Sequence, residues 1–157
     1  MYKKLCFFIA SVLGVGYIPK ASGTFGSLVA LPVFCYLFRD ASLDALYITL
    51  AMVCIVGWIA TSKVLKYTKP DPSLVVIDEV AGQLTTFTLP WYFGVAQLNW
   101  QFIIVGFALF RFFDIVKIWP ANFFDKKIHN ATGVMADDIV AGIYAAAVLT
   151  LLFHLFG

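Results

Sequence analysis

Between Arg111 and Gly142 the chain reads RFFDIVKIWPANFFDKKIHNATGVMADDIVAG, with eight charged residues and a histidine set between long apolar runs. Arg111, Asp114 and Lys117 recur at every third position, which stacks them on one face of a helix. Asp137 and Asp138 form an acidic pair at the start of the last apolar run. A second pair, Asp78 and Glu79, opens the uncharged stretch from Val80 to Phe110. Unpaired charge at membrane depth is costly. Neighbouring helical positions point about 100° apart, so both members of a pair avoid lipid only where protein, water or a metal receives one. Asp78, Glu79, Asp114, Asp137 and Asp138 are therefore candidate catalytic carboxylates and candidate ligands for a hard divalent cation such as Mg²⁺, which takes one or two carboxylates together with water and substrate phosphate. The plainer alternative pairs them with Arg111, Lys117 and Lys126.

Arg111 and Lys117 suit phosphate oxygens, since both donate and neither accepts; the alternative is snorkelling of helix-end cations to the headgroup layer. His129, in a polar segment, has the chemistry of an acid, a base or a ligand, although a lone surface histidine is more often idle. His154, near the far end of the last apolar run, reads as non-catalytic. Pro19 to Ser27 (PKASGTFGS) reads as a flexible polar loop whose glycines let the backbone approach a ligand, with N–H groups before a helix suited to an oxyanion. A plain turn has the same composition.

The elements that must hold these residues are apolar. The chain has 157 residues, 62% of them hydrophobic and 13% charged, and its mean hydropathy is +0.90. Soluble domains carry about 25% charged residues, so the composition is that of an integral membrane protein in a single domain, residues 1–157. A net charge of +2 from scattered basic residues gives no footprint for nucleic acid. Cys6, Cys35 and Cys54 lie far apart in apolar segments and fit no metal spacing. GxSxG, cysteine-nucleophile and Walker-type motifs are missing.

The fold class read from this pattern is all-α and polytopic. About five transmembrane helices are expected, with an N-terminal interfacial or re-entrant helix over 5–18, too short for a core of about 30 Å. The spans are 25–38, 45–62, a hairpin of two within 80–110, and 139–157; a cytoplasmic-face amphipathic helix covers 119–130, anchored by Trp119. Lys63, Lys66 and Lys69, followed by Pro70-Asp71-Pro72, and the Lys117/Lys126/Lys127 region should share the cytoplasmic side. That places GTFGS, Asp78-Glu79, Arg111 to Lys117 and Asp137-Asp138 on one membrane face. Outer loops fall at Arg39 to Asp44 and Phe93 to Asn99. Ala141/Ala145 and Gly142/Ala146 have small-xxx-small spacing, weak support for a homodimer; no protein partner is implied.

GTFGS at 23–27, DEVAG at 78–82, RFFDIVKIWP at 111–120 and HNATGVMADDIVAG at 129–142 resemble, in order and separation, the phosphatidylglycerophosphatase A family. One departure is Ile118, where many members are expected to carry proline. The resemblance implies a Mg²⁺-dependent phosphatase of the bacterial inner membrane that converts phosphatidylglycerophosphate, its phospholipid substrate, to phosphatidylglycerol. Its motifs carry over Thr24, Ser27, Asp78, Glu79, Gly82, Arg111, Asp114, Lys117, His129, Asp137 and Asp138. The implied site uses Asp78, Glu79, Asp137, Asp138 and Asp114 around Mg²⁺. Arg111 and Lys117 lie on the terminal phosphate, Thr24 and Ser27 add donors, and His129 protonates the leaving alkoxide. Two alternatives of other classes remain: a small cation or proton transporter, which would place carboxylates at mid-span, and a non-catalytic scaffold.

Overall fold

Polar residues with short side chains set where the helices begin. Ser42 accepts from the Ala45 N–H, Asn99 from the Phe102 N–H, and Asn130 from the N–H groups of Thr132 and Gly133, each satisfying donors that a helix start leaves open. The computed structural model of the chain describes residues 2–68 and 72–157; the sequence readings at Lys69, Pro70 and Asp71 fall outside them. The described residues form helices α1 (Tyr2–Ala10), α2 (Ser22–Asp40), α3 (Leu43–Val64), α4 (Ile77–Thr86), α5 (Thr88–Tyr92), α6 (Trp100–Val116), α7 (Ala121–Lys127) and α8 (Ala131–Phe156), with one 3₁₀ turn at Val15–Tyr17. Among them there is no strand, as expected for an all-α chain.

Three helices, α2, α3 and α8, are long and apolar enough to cross a membrane. Their outward residues are large and apolar: Ile48, Met52, Ile55, Trp58, Leu151 and Leu155 are exposed, a surface suited to lipid and costly in water. The core beneath is aromatic. Phe34 of α2 stacks on Phe87 with ring centroids 4.1 Å apart, and Phe102, Leu84 and Leu149 close round them.

Three expectations change. The hairpin within 80–110 turns at Phe93 to Asn99 as read, but its first arm is two short helices, α4 and α5, broken at Phe87. The GTFGS stretch is no loop: α2 starts at Ser22, so the motif occupies its first turns. Ala21 caps that helix in the left-handed conformation, where the backbone reverses without a glycine. Asp137 and Asp138 do not open their helix either; α8 begins at Ala131 under the Asn130 cap, two turns earlier than the apolar run. The small-residue stripe packs inside the bundle, with Ala141, Gly142, Ala145 and Ala146 all buried.

The chain order gathers the polar ends. α2, α4 and α8 start where α6 finishes, and α7 lies across that end against α8. α4 is the central piece, buried along nearly its whole length. It packs between α2 and α8 because Gly26, Gly82 and Gly142 leave room. A Cβ on Gly82 would lie 2.6 Å from the Asp138 carbonyl oxygen, and one on Gly26 would lie 2.9 Å from the Val76 Cβ.

Candidate active site

At the gathered end lies a cleft of about 310 Å³. Seven of the residues singled out from sequence line it: Asp78, Glu79, Asp114, Lys117, His129, Asp137 and Asp138. Ser22, Gly23 and Asp125 line it as well. Thr24, Ser27 and Arg111 do not.

Carboxylates from three helices converge here. One oxygen each of Glu79 (α4), Asp114 (α6) and Asp138 (α8) lie within 4.8 Å of one another. They reach that spacing because α4 and α8 cross at glycines one turn beyond Asp78 and Asp138. Asp78-Glu79-Val80-Ala81-Gly82 and Asp138-Ile139-Val140-Ala141-Gly142 match at four of five positions. Each acid at position i shares a helical face with the glycine at i+4, so close backbone contact at the glycines carries the acids together. This repeat was visible in the sequence and is what juxtaposes the two acidic pairs. The Asp78 Oδ1 accepts from the Glu79 N–H at 2.9 Å.

Arg111 stands behind the cluster rather than in the cleft. Its Nη1 donates to Glu79 Oε2, lies 3.0 Å from Asp114 Oδ2 and donates to Ser27 Oγ at 3.3 Å. This placement suits a counter-ion to buried carboxylates. Ser27 is fully buried, 2.9 Å from the Gly23 carbonyl and 3.1 Å from Glu79 Oε2. Thr24 is half-buried beside it.

Lys117 is the one lysine or arginine that lines the cleft among the described residues. It ends α6 in the left-handed region, φ 47°, a conformation costly for a residue with a Cβ. Its Nζ donates to Asp125 Oδ1 and to Asp137 Oδ2, both at 2.6 Å. Burial disfavours the charged ammonium, but the hydrogen bonds to Asp125 and Asp137 outweigh it and raise the lysine's pKa above its ordinary value. The plainer alternative of paired carboxylates thus holds for Arg111 and Lys117, while Lys126 makes no ion pair among the described residues. Asp125 was read only as part of an interfacial charge run. Its signal was its place on the short helix between two cleft residues, Lys117 and His129. His129 is exposed at the cleft.

The oxygen-only donor set suits a hard cation. Asp137 Oδ1 is buried without a hydrogen-bond partner among the described residues. Among the described residues no carboxylate sits at the middle of a long helix, so the transporter alternative gains nothing from the geometry.

Fold and site together define an all-helical membrane protein with a carboxylate cleft, flanked by one lysine, at one end of its bundle. The chain belongs to the phosphatidylglycerophosphatase A family, whose family model matches residues 8–153. It is 35% identical to the phosphatidylglycerophosphatase A of Escherichia coli K12 over 93% of this chain and 82% of that one. It is 33% identical to the Haemophilus influenzae phosphatidylglycerophosphatase A over 90% and 84%. A putative phosphatidylinositol-3-phosphatase of Bacteroides thetaiotaomicron is 34% identical over 87% and 86%. No solved structure matches. The family is one of phosphatases, so the chain is an enzyme of that class.

Proposed function

We propose that this enzyme hydrolyses the terminal phosphomonoester of phosphatidylglycerophosphate, giving phosphatidylglycerol and inorganic phosphate, at the cytoplasmic face of the bacterial inner membrane. The observation that carries the reading is the convergence of Glu79, Asp114 and Asp138 from three helices within 4.8 Å, beside a lysine that lines the same cleft. The topology follows the charge. Lys63 in the last turn of α3, Lys66 just after it, and Lys117, Lys126 and Lys127 around α7 all belong to the cleft end, which the positive-inside tendency assigns to the cytoplasm. α6 has 17 residues, within the range that spans when helices are counted by length. With the broken α4–α5 arm it brings the crossings to five.

Mg²⁺, held by Glu79, Asp114 and Asp138 with Asp78 and Asp137 alongside, would supply positive charge to the phosphoryl oxygens. The protein's own groups do the rest. Lys117 has three N–H donors, and two are engaged by Asp125 and Asp137; the third is available to a phosphate oxygen. Water attacks phosphorus in line as the bond to the glycerol oxygen breaks. A carboxylate of the cleft accepts the water's proton, and His129 donates a proton to the departing alkoxide. The lipid approaches sideways from the bilayer, so a cleft at the helix ends meets its headgroup without lifting its chains.

The test is phosphate release by detergent-purified protein from phosphatidylglycerophosphate, with Mg²⁺ and with chelator, beside Asp138→Ala. Mg²⁺-dependent release that is lost in the variant is the expected result. Release surviving chelator removes the metal, and no release from folded, Mg²⁺-loaded protein overturns the substrate. Phosphatidylinositol 3-phosphate belongs in the same assay, because the Bacteroides thetaiotaomicron relative carries that name; faster release from it would reassign the headgroup and keep the chemistry.

A further inference from the structure

Gly23 and Ser27 face the Glu79 carboxylate, and Gly26 faces Val76 and the Glu79 Cβ. A Cβ built on Gly23 would lie 2.0 Å from Glu79 Oε1 and 3.4 Å from the Arg111 Nη1. One built on Gly26 would lie 2.9 Å from the Val76 Cβ and 3.2 Å from the Glu79 Cβ. The Ser27 hydroxyl is 3.1 Å from Glu79 Oε2, the oxygen that also accepts from Arg111. The first turns of α2 therefore wrap Glu79 from its Cβ to its carboxylate. Two positions give space by lacking a side chain, and the third supplies a hydroxyl. The spacing explains the motif: 23, 26 and 27 are i, i+3 and i+4, one face of a helix.

We propose that the Gly-x-x-Gly-Ser stretch of α2 is a cradle that positions the Glu79 carboxylate, and that Gly23 and Ser27 act on the reaction through Glu79 rather than by contacting phosphate. The inference rests on the phosphatase reading for its kinetic arm and on geometry alone for its stability arm. An oxyanion-binding loop needs backbone N–H groups turned to the ligand; here the glycine's missing side chain is the space a carboxylate oxygen fills. The struck atom in a Gly23→Ala protein is the far end of a flexible side chain, so the helix can stay while the carboxylate is pushed aside.

That makes the cradle testable by a double-mutant cycle. Glu79→Asp shortens the side chain by one methylene and withdraws the carboxylate from the space a Gly23 Cβ would take. In the wild-type background Gly23→Ala should lower kcat/KM on the order of 10- to 100-fold, the scale of a misplacement near 1 Å. It should also raise the Mg²⁺ concentration needed for half-maximal rate. In the Glu79→Asp background the same change should cost no more than about twofold. Ser27→Ala should behave as Gly23→Ala does, while Ser27→Thr, which keeps the hydroxyl, should recover most of the loss. Equal losses in the two backgrounds overturn the cradle and return Gly23 to direct ligand contact.

The same four proteins are melted in metal-free detergent. Gly23→Ala should lower the midpoint when Glu79 is present, because the Glu79–Arg111 pair is displaced, and should lower it less with Glu79→Asp. Additive midpoints overturn the proposal. This arm decides even where the wild type releases no phosphate, an outcome that would overturn the proposed substrate and leave the cradle standing on the melting data.

Discussion

Gly142 of α8 meets Gly82 of α4 backbone to backbone: a Cβ on Gly142 would lie 2.3 Å from the Gly82 carbonyl oxygen and 2.9 Å from the Thr85 Cβ. Both glycines lie one turn beyond an aspartate, so the contact fixes how far the acidic ends of the two helices stand apart. Small residues at helix crossings are how membrane helices pack closely without a hydrophobic drive between them. Here the close packing also brings Glu79 and Asp138 into reach of one ion.

Gly142→Ala should therefore fail twice. The added methyl meets backbone, which cannot move aside, and overpacking of this kind costs about 1–3 kcal/mol. A lowered midpoint in detergent melting checks this. The surviving folded protein should also need more Mg²⁺ for its rate, because α4 and α8 are forced apart at the carboxylates. A variant as stable as wild type with an unchanged Mg²⁺ requirement would show that the crossing does not set the site.

Composition and charge placement made the all-α membrane class and the single polar end legible. So did the acidic pairs, since charge beside apolar runs is conspicuous. What stayed hidden was direction. Arg111 shares a helical face with Asp114, and the spacing is right, but whether that face meets the cleft or the bundle depends on α2, whose first turns have the composition of a loop. Gly23 and Gly26 look the same in a phosphate loop and in a helix that must approach a neighbour; only the partner's side chain distinguishes them. Asp125 lay in a run of charge with Lys126 and Lys127, and nothing local says that it bonds to Lys117, eight residues earlier. The start of α8 was misplaced for a simpler reason: its first two turns carry polar and small residues, while the Asn130 cap marks the true beginning.

Lys117 sets the second prediction. Lys117→Met should raise KM about 10-fold or more, the worth of a charge-assisted hydrogen bond to phosphate. It should affect kcat less. The pH dependence has a definite sign. The folded pKa is raised, so the contribution of the lysine's own charge is complete below the unfolded value of about 10.4 and is lost only as pH rises through the higher folded value. Lysine ionisation therefore contributes no limb to the wild-type rate profile from about pH 6 to pH 9. An alkaline loss in that window that disappears in Lys117→Met would contradict the assignment.

His129 sets the third. As the donor to the leaving alkoxide, its loss in His129→Gln should lower kcat by about 100-fold, within the usual range for a general acid, with KM little changed. The defect should depend on the leaving group. An aryl phosphate, whose phenolate departs without a proton, should be hydrolysed by the variant at close to the wild-type rate. Equal defects on both substrates would leave His129 a binding or structural residue.

Arg111 separates its two readings most sharply. Its guanidinium side chain is 17% exposed and faces Glu79 and Asp114, themselves 13% and 11% exposed, and its Nε is buried without a partner among the described residues. Arg111→Ala leaves two buried carboxylates facing each other and Asp138 with no arginine between them, and breaking such a pair costs about 3–5 kcal/mol. The melting midpoint should drop accordingly. A divalent cation then becomes the remaining source of positive charge, so Mg²⁺ should raise the midpoint of Arg111→Ala by more than it raises that of the wild type. Arg111→Lys should recover only part of the loss, because an ammonium cannot span Glu79, Asp114 and Ser27 as the planar fork does. If Arg111 instead gripped the substrate phosphate, the variant would melt near wild type, show no extra response to Mg²⁺, and express its defect as a raised KM.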